Sequence, residues 1–329
     1  MAKPMIPFHG SCDISRPIHS GQKGHAMRVP ATLRSLHLAW LIPAAVLFFG
    51  CASAPAPAVP TALPSPAQGA LPTYADAEPL GVAMEGWTYP YPVQMLQFEL
   101  EGRPHRMAYM DVKPAQSNGR TVVLLHGKNF GGDYWATTIR ALSARGYRVV
   151  VPDQIGFGRS SKPEMRYTFA MLSDQTLRLL DHLGVPRAAV VAHSMGGMLG
   201  VHLARRNPDR VSALVLENPL GLEDYVLSIP PQKTPDLLKL EMAQTPASYR
   251  NFVKGYFPVN YKPEYERFVE QFARVQRSGE YPRFAHVSAL TYQMIYDGPI
   301  YNELPKLTVP TLLAIGLSDR TVFGRRFAP

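Results

Sequence analysis

Cysteine is nearly absent from this chain. Its 329 residues include two, Cys12 and Cys51, both ahead of the segments that pattern as a fold. That excludes a disulfide framework within the body, and any Cys-based metal site there. No cluster has zinc-ligand spacing, and neither a metal nor an organic cofactor is implied. Charge is sparse as well, at 18% of residues, and no run of Lys and Arg is interleaved with aromatics. The formal charge of +9 is unevenly spread: residues 1–50 hold Lys3, Arg16, Lys23, Arg28 and Arg34 against Asp13 alone. The rest is a mildly basic body, which argues against nucleic acid as a partner and for a small molecule. Long apolar runs are missing too. The one extended stretch, LHLAWLIPAAVLFF at 36–49, is too short and Pro-interrupted for a good membrane span. What is abundant is hydrophobic residue, 46% of the chain, enough for one sizeable core with an insertion or for two small domains.

That apolar stretch follows Met27, Arg28 and Arg34, so the region reads as an export leader with a basic part, an apolar part and then Gly50-Cys51. Gly-Cys at this point resembles the end of a bacterial lipobox, which makes Cys51 the lipidation candidate and mature N-terminus; Phe48 and Phe49 depart from that pattern. Cleavage after Ala54 or Ala58 would give a soluble exported form instead. Residues 52–72 are rich in Ala and Pro and read as an extended spacer. The expected organisation is a leader over 1–50, a linker over 51–79, a first core part over 80–217, an inserted helical region over 218–305, and a second core part over 306–329. The expected location is outside a bacterial cytoplasm, periplasmic or anchored to a membrane through the lipidated N-terminus.

From about residue 94 the pattern alternates. Residues 94–100 and 105–112 read as an antiparallel strand pair, and 121–125, 148–151, 188–192, 211–216 and 310–315 as buried strands. Helical patterns at 133–145, 169–183 and 197–206 separate them. Strands joined by helices of this length imply an α/β fold with a doubly wound, mostly parallel sheet. Residues 218–305 break the rhythm with helical patterns at 235–244, 246–256, 263–277 and 281–297. They read as a helical cap over the strand C-termini, where open α/β sheets bind ligands. Its aromatics, Tyr225, Tyr249, Phe252, Tyr256, Phe257, Tyr292 and Tyr296, are expected mostly to pack among cap helices.

The strongest chemical signal is Ala192-His193-Ser194-Met195-Gly196-Gly197, directly after the strand 188–192. A serine between a buried strand and a helix, with small residues two positions to either side, reads as a nucleophile elbow. The tight turn lifts the hydroxyl clear of the sheet and aims the Met195 N–H, at a helix start, toward the reacting centre. A plain helix N-cap is the bland alternative. The second signal is His126-Gly127-Lys128-Asn129-Phe130-Gly131-Gly132, after the strand 121–125. Acyl transfer creates an oxyanion that needs two fixed donors. Met195 N–H would be one and Lys128 N–H the other, with Asn129 as the next candidate. The Lys128 side chain is expected to be solvated. A phosphate loop is excluded, since neither a Gly-Lys-Ser/Thr ending nor Gly-x-Gly-x-x-Gly is present.

His-Gly after one strand, Asp153-Gln-Ile-Gly-Phe-Gly-Arg-Ser160 after the next, and the Ser-Met-Gly-Gly elbow after the next resemble the α/β-hydrolase fold family, over about residues 90–329. The resemblance specifies the fold far more than the substrate. Family members include esterases, C–C bond hydrolases, iminopeptidases and cofactor-free haloperoxidases. Haloalkane dehalogenases and epoxide hydrolases are similar but carry Asp at the elbow, so Ser194 argues against both. Asp153 is expected to brace its own turn. By the resemblance, the triad acid sits on the loop after the strand 310–315. Asp319 matches it, with Glu217 as the weaker alternative.

The family order is Ser, acid, His, and no histidine follows Asp319. Of the others, His193 is expected to point away into the sheet, His126 to brace the oxyanion loop, and His286 to sit within or on the cap. No catalytic histidine is assigned. Either the chain continues past 329 in the complete protein, with a further strand, a histidine loop and a terminal helix, or the domain is a non-catalytic relic that still binds a small molecule. The expected function is a serine hydrolase acting through an acyl-enzyme on a small ester or related carbonyl. In the 329-residue form it is expected to be nearly inactive, with the strand 311–315 left as an exposed apolar edge.

Overall fold

The runs TVVLL, RVVVP and AAVVAH are too short and too rich in β-branched residues for helices. In the computed structural model, which describes residues 71–257, 259–319 and 323–324, they pair as central strands. The leader, Cys12, Cys51 and the spacer through residue 70 lie outside the described residues. All that follows belongs to the unit Val59–Pro329.

The strands are β1 (Gln94–Leu100), β2 (Arg103–Val112), β3 (Thr121–Leu125), β4 (Arg148–Pro152), β5 (Ala188–His193), β6 (Val211–Glu217) and β7 (Thr311–Ala314). They form one seven-stranded sheet in the order β1-β2-β4-β3-β5-β6-β7. β1, β2 and β4 pair antiparallel in sequence, and β4, β3, β5, β6 and β7 run parallel. The fold is therefore the mostly parallel, doubly wound α/β sheet that the alternation implies. β2 starts two residues earlier than its pattern suggested. Glu101 and Gly102 both take positive φ, 49° and 70°, closing a two-residue hairpin that pairs Leu100 with Arg103.

The helices are α1 (Ala136–Ser143), α2 (Phe169–His182), α3 (Met195–Arg206), α4 (Tyr225–Ser228), α5 (Thr234–Met242), α6 (Pro246–Tyr256), α7 (Glu266–Gln276) and α8 (Tyr281–Asp297). Alternate residues of β3 serve opposite faces, as a strand's period of two requires. Val123 and Leu125 join the core built with α2 and α3, and Val122 and Leu124 the core with Ile139 of α1. α2 starts where Thr168 Oγ1 accepts the Met171 N–H at 3.1 Å. α1 is shorter than its pattern, because 132–135 is a 3₁₀ turn in which the Asp133 carboxylate is engaged by other segments. α5 to α8 form the cap. Among the described residues no helix is long and apolar enough to cross a membrane. β7 is the last described strand at its side of the sheet, and Leu312 and Leu313 on it are 60% and 49% exposed.

Structure described before Leu80 also belongs to the fold. Residues 71–93 run as a strap along the cap and down to the core. Pro72 O accepts from Arg250, Tyr74 Oη donates to Glu266, Ala77 O and Glu78 O accept from Arg277 and Arg274, and Leu80 N–H donates to Arg274 O. Leu80, Met84 and Trp87 pack with cap residues such as Val269 and Phe272. Residues 73–93 carry no periodic apolar signal, so a strap held by hydrogen bonds and a few apolar contacts to distant helices left no pattern to read.

Leu179 on α2 is fully buried, whereas Leu240 on α5 is 36% exposed. Leu179→Ala is expected to cost about 2–5 kcal/mol in urea unfolding. Leu240→Ala should stay within about 0.5 kcal/mol of the parent. Equal effects would mean that α2 does not anchor the core as described.

Candidate active site

Ser194 takes φ 55° and ψ −120°, a strained backbone that a non-glycine residue holds only when its surroundings impose it. The imposition is visible. Ser194 N–H donates to Glu217 O of β6 at 3.1 Å, and Ser194 O accepts from Gly197 and Leu220 N–H at 2.9 and 3.2 Å. α3 starts at Met195, two residues sooner than the pattern, with no room for a side chain on its first glycine. A Cβ on Gly196 would drive into the carbonyl oxygens of Leu125 and His126, and one on Gly197 would meet Pro219 at 2.6 Å. The small residues of the elbow are thus a packing requirement of β3 and the segment after β6. Ser194 itself is 6% exposed.

The 126–132 loop lies directly above. A Cβ on Gly127 would be 3.1 Å from Ser194 Cβ. His126 is fully buried. Its Nδ1–H donates to Gly127 O at 2.9 Å and its Nε2 accepts the Gln154 N–H at 3.0 Å, which fixes a neutral tautomer. Burial lowers its pKa further from the charged range. His126 therefore braces the loop. Asp153 does the same from below: its Oδ1 accepts the Gly132 N–H at 2.6 Å and its Oδ2 the Arg159 N–H at 2.7 Å.

Two expectations need correction. The Lys128 side chain is not solvated. Its Nζ donates to Asn129 Oδ1 at 3.0 Å and to Ser288 Oγ of α8 at 2.9 Å. Ser288 passes a 2.9 Å bond to Glu241 Oε2, which also accepts from Gln244. The cap supplies these partners, and sequence separation of 160 residues hid them. His193 does not point into the sheet. Its ring stands off the α1 face of β5, edge-on to Tyr134 and Trp135. Tyr134 Oη accepts the Gly127 N–H at 3.1 Å and lies 3.0 Å from His193 Nδ1. Burial keeps the phenol protonated. Burial also pulls the His193 pKa to about 4, with the nearby Asp319 charge opposing the shift.

Ser194, Lys128, Asn129, Glu241, Tyr249 and Tyr256 line a cavity of about 460 Å³ between core and cap. Phe252 and Tyr292 line it as well, so more of the cap aromatics face the site than mutual packing would require. Tyr256, at the end of α6, lines the cavity together with Ser194. Burial, then the Asp319 charge, holds this phenol protonated, and the neighbouring Ser194 hydroxyl opposes them. Asp319 follows β7, where Asp319 N–H donates to Gly316 O at 3.0 Å and Gly316 N–H to Asn218 Oδ1 at 2.8 Å. Its charge bears on both His193 and Tyr256. Glu217, the other acid considered, has its pKa raised by burial and lines a second cavity, about 300 Å³, with His193 and Tyr134. His286 is occupied by Glu164 at 3.1 Å. Tyr134 is the site residue that the sequence did not single out, since it lies in no motif, and Tyr256 was named only among the cap aromatics expected mostly to pack together.

His193 is neutral when folded down to about pH 4 but titrates near 6.5 when unfolded. The unfolded chain therefore binds the extra proton first, and stability falls as pH drops through that window. The expected loss from this group is about 2 kcal/mol between pH 7.5 and pH 5. Buried His126 and His202 act in the same sense. His193→Gln should make the urea stability less steep in pH by that amount; parallel profiles for variant and parent would refute the assignment.

Comparison with known proteins agrees with this architecture. Residues 120–323 match the family model described as alpha/beta hydrolase fold. A crystal structure of a "probable hydrolytic enzyme" from Pseudomonas aeruginosa is 42% identical, covers 78% of this chain and 83% of its own, and superposes with a TM-score of 0.76. Among curated proteins, a haloalkane dehalogenase of Mycolicibacterium paratuberculosis is 35% identical over 133 residues, 40% of this chain and 44% of its own. A putative carbamate hydrolase of a Caulobacter species is 41% identical over 103 residues, 31% and 38%. The matched stretches span less than half the length of those curated relatives. With its elbow, its braced loop and its sheet order, the chain belongs to the α/β-hydrolase fold family.

Proposed function

We propose that this protein is a serine hydrolase that forms an acyl-enzyme on a small ester or related carbonyl substrate. The observation that carries the reading is the strained Ser194 elbow, set at the wall of the cavity beneath the 126–132 loop. Ser194 Oγ attacks the carbonyl carbon, its proton passes to an imidazole base, and the alkoxide leaves with a proton from that base. Water then repeats the sequence on the acyl-enzyme. Met195 N–H at the start of α3 and Lys128 N–H in the loop hold the oxyanion, with Asn129 next in the loop. Asp319 orients the imidazole. His126, His193 and His286 are all committed elsewhere, so none is assigned as that base. Relatives named as hydrolases support the general class, and serine at the elbow favours acyl transfer over the alkyl chemistry of a dehalogenase.

One observation favours a second reading, a small-molecule binder without turnover. Tyr256 shares the cavity wall with Ser194, and its phenol, held protonated by burial, cannot accept the serine proton.

A fluorophosphonate probe separates the two. Covalent labelling at Ser194 in the complete protein, with the sequence carried past residue 329, abolished in Ser194→Ala, is the result expected of the hydrolase. A folded complete protein that stays unlabelled while p-nitrophenyl esters bind without turnover would establish the binder instead.

A further inference from the structure

Two buried carboxylates flank the 126–132 loop, and the strap reaches both. Asp153 is 1% exposed and Asp133 2%. Tyr89 Oη donates to Asp153 Oδ2 at 2.6 Å, and Trp87 Nε1–H donates to Asp133 Oδ2 at 2.9 Å. The loop hangs on the same two groups, through the Gly132 N–H on Asp153 Oδ1 and through Asp133 itself, the residue that continues the loop. The fit is close: a Cβ on Gly131 would stand 2.8 Å from Tyr89 Oη and 2.9 Å from Asp153 Oδ1.

Core and cap return the grip. Arg159, whose own N–H is on Asp153, donates to the carbonyls of Met84 at 3.2 Å, of Glu85 at 3.0 Å, and of Trp87. Its guanidinium lies over the Tyr89 ring at 4.8 Å. Arg267 of α7 pairs with Asp133 at 2.9 Å and sits 5.5 Å from the Trp87 ring centre. The Asp153 carboxylate is thus shared between the strap and the loop, and that of Asp133, at the loop's end, between the strap and the cap. A buried carboxylate keeps its geometry when its lone pairs are filled by fixed donors. Removing one donor leaves the others to reorient, and the loop N–H with them.

We propose that Trp87 and Tyr89 are positioning residues for the oxyanion loop, acting through Asp133 and Asp153, so that the strap sets the geometry at Ser194 from outside the core and cap. The proposal rests on the hydrolase reading for what the loop does, but not for how the loop is held. Neither side chain lines the Ser194 cavity, so their effect reaches a substrate only through the loop.

The test compares the full chain with Tyr89→Phe and Trp87→Phe. Tyr89→Phe keeps the ring and loses the donor, and Trp87→Phe keeps an aromatic ring but loses the indole N–H with part of the ring system. Tyr91→Phe, on the same strap, is the control. Amide hydrogen exchange reads the loop without requiring catalysis. Exchange over 126–134 should rise about tenfold in each variant, as loss of a hydrogen bond to a charged group implies. Exchange in β5 and α3 should be unchanged, as should all segments in Tyr91→Phe. The rate of fluorophosphonate labelling at Ser194 should fall about tenfold, and with ester substrate kcat should fall while KM holds. Loop exchange within twofold of the parent in both variants would overturn the clasp. Faster loop exchange with undiminished labelling would overturn its role at Ser194. An unlabelled parent would instead defeat the hydrolase reading and leave the exchange result to decide the clasp.

Discussion

The carboxylate of Asp153 is the point on which the functional end of the molecule depends. Burying a charge costs several kcal/mol unless donors replace its water, and here three do: Gly132 N–H, Arg159 N–H and Tyr89 Oη. Those donors belong to the 126–132 loop, the turn after β4 and the N-terminal strap, three segments far apart in sequence. The Asp153 carbonyl adds a fourth tie, accepting from Ser160 Oγ at 2.6 Å, and Ser160 Oγ in turn accepts the Ala108 N–H of β2 at 2.8 Å. Gly158 follows from this packing. It takes φ 48°, and a Cβ there would occupy the space of the carboxylate itself. Lys162, fully buried nearby, donates to Gly158 O and Ser160 O. Burial lowers its pKa to about 7 against the pull of Asp153.

From that anchor the strain at the elbow becomes tolerable. A non-glycine residue at positive φ costs of order 1–3 kcal/mol. The cost is offset by what the geometry allows: α3 packs at once on β3 and β6, with Met195, Met198 and Leu199 fully buried. The cap closes over the same point from the other side. Its contribution is chemical as well as steric, because Ser288, itself bonded to Glu241, accepts from Lys128, and Tyr256 faces the cavity that holds Ser194. The cavity is therefore polar at the loop and aromatic along the cap.

How much of this was legible in the sequence follows from the range of the interactions. Period-two runs and their separating helices are local, so the sheet, its helices and the cap could be read with boundaries off by a few residues. The errors arose at element ends, one from distant partners and one from a local turn. The 3₁₀ turn at 132–135 exists where Asp133 is engaged by Trp87 and Arg267, and β2 is lengthened by a hairpin at Glu101-Gly102. The Ser194 elbow and the 126–132 loop were legible because close backbone packing demands small residues at fixed spacings, and such demands leave marks in sequence.

The sequence by itself determined the order of strands and helices, the place of the strained serine and the loop above it. Each is encoded by neighbours within a few residues. Only the tertiary structure decided what surrounds them: the strap on Asp133 and Asp153, Lys128 turned to Ser288 of the cap, His193 held by Tyr134, and Tyr256 against Ser194. These contacts join residues from 46 to 160 positions apart. A single side chain with one distant partner has no periodicity or spacing to announce it, so its role appears only once the chain has folded.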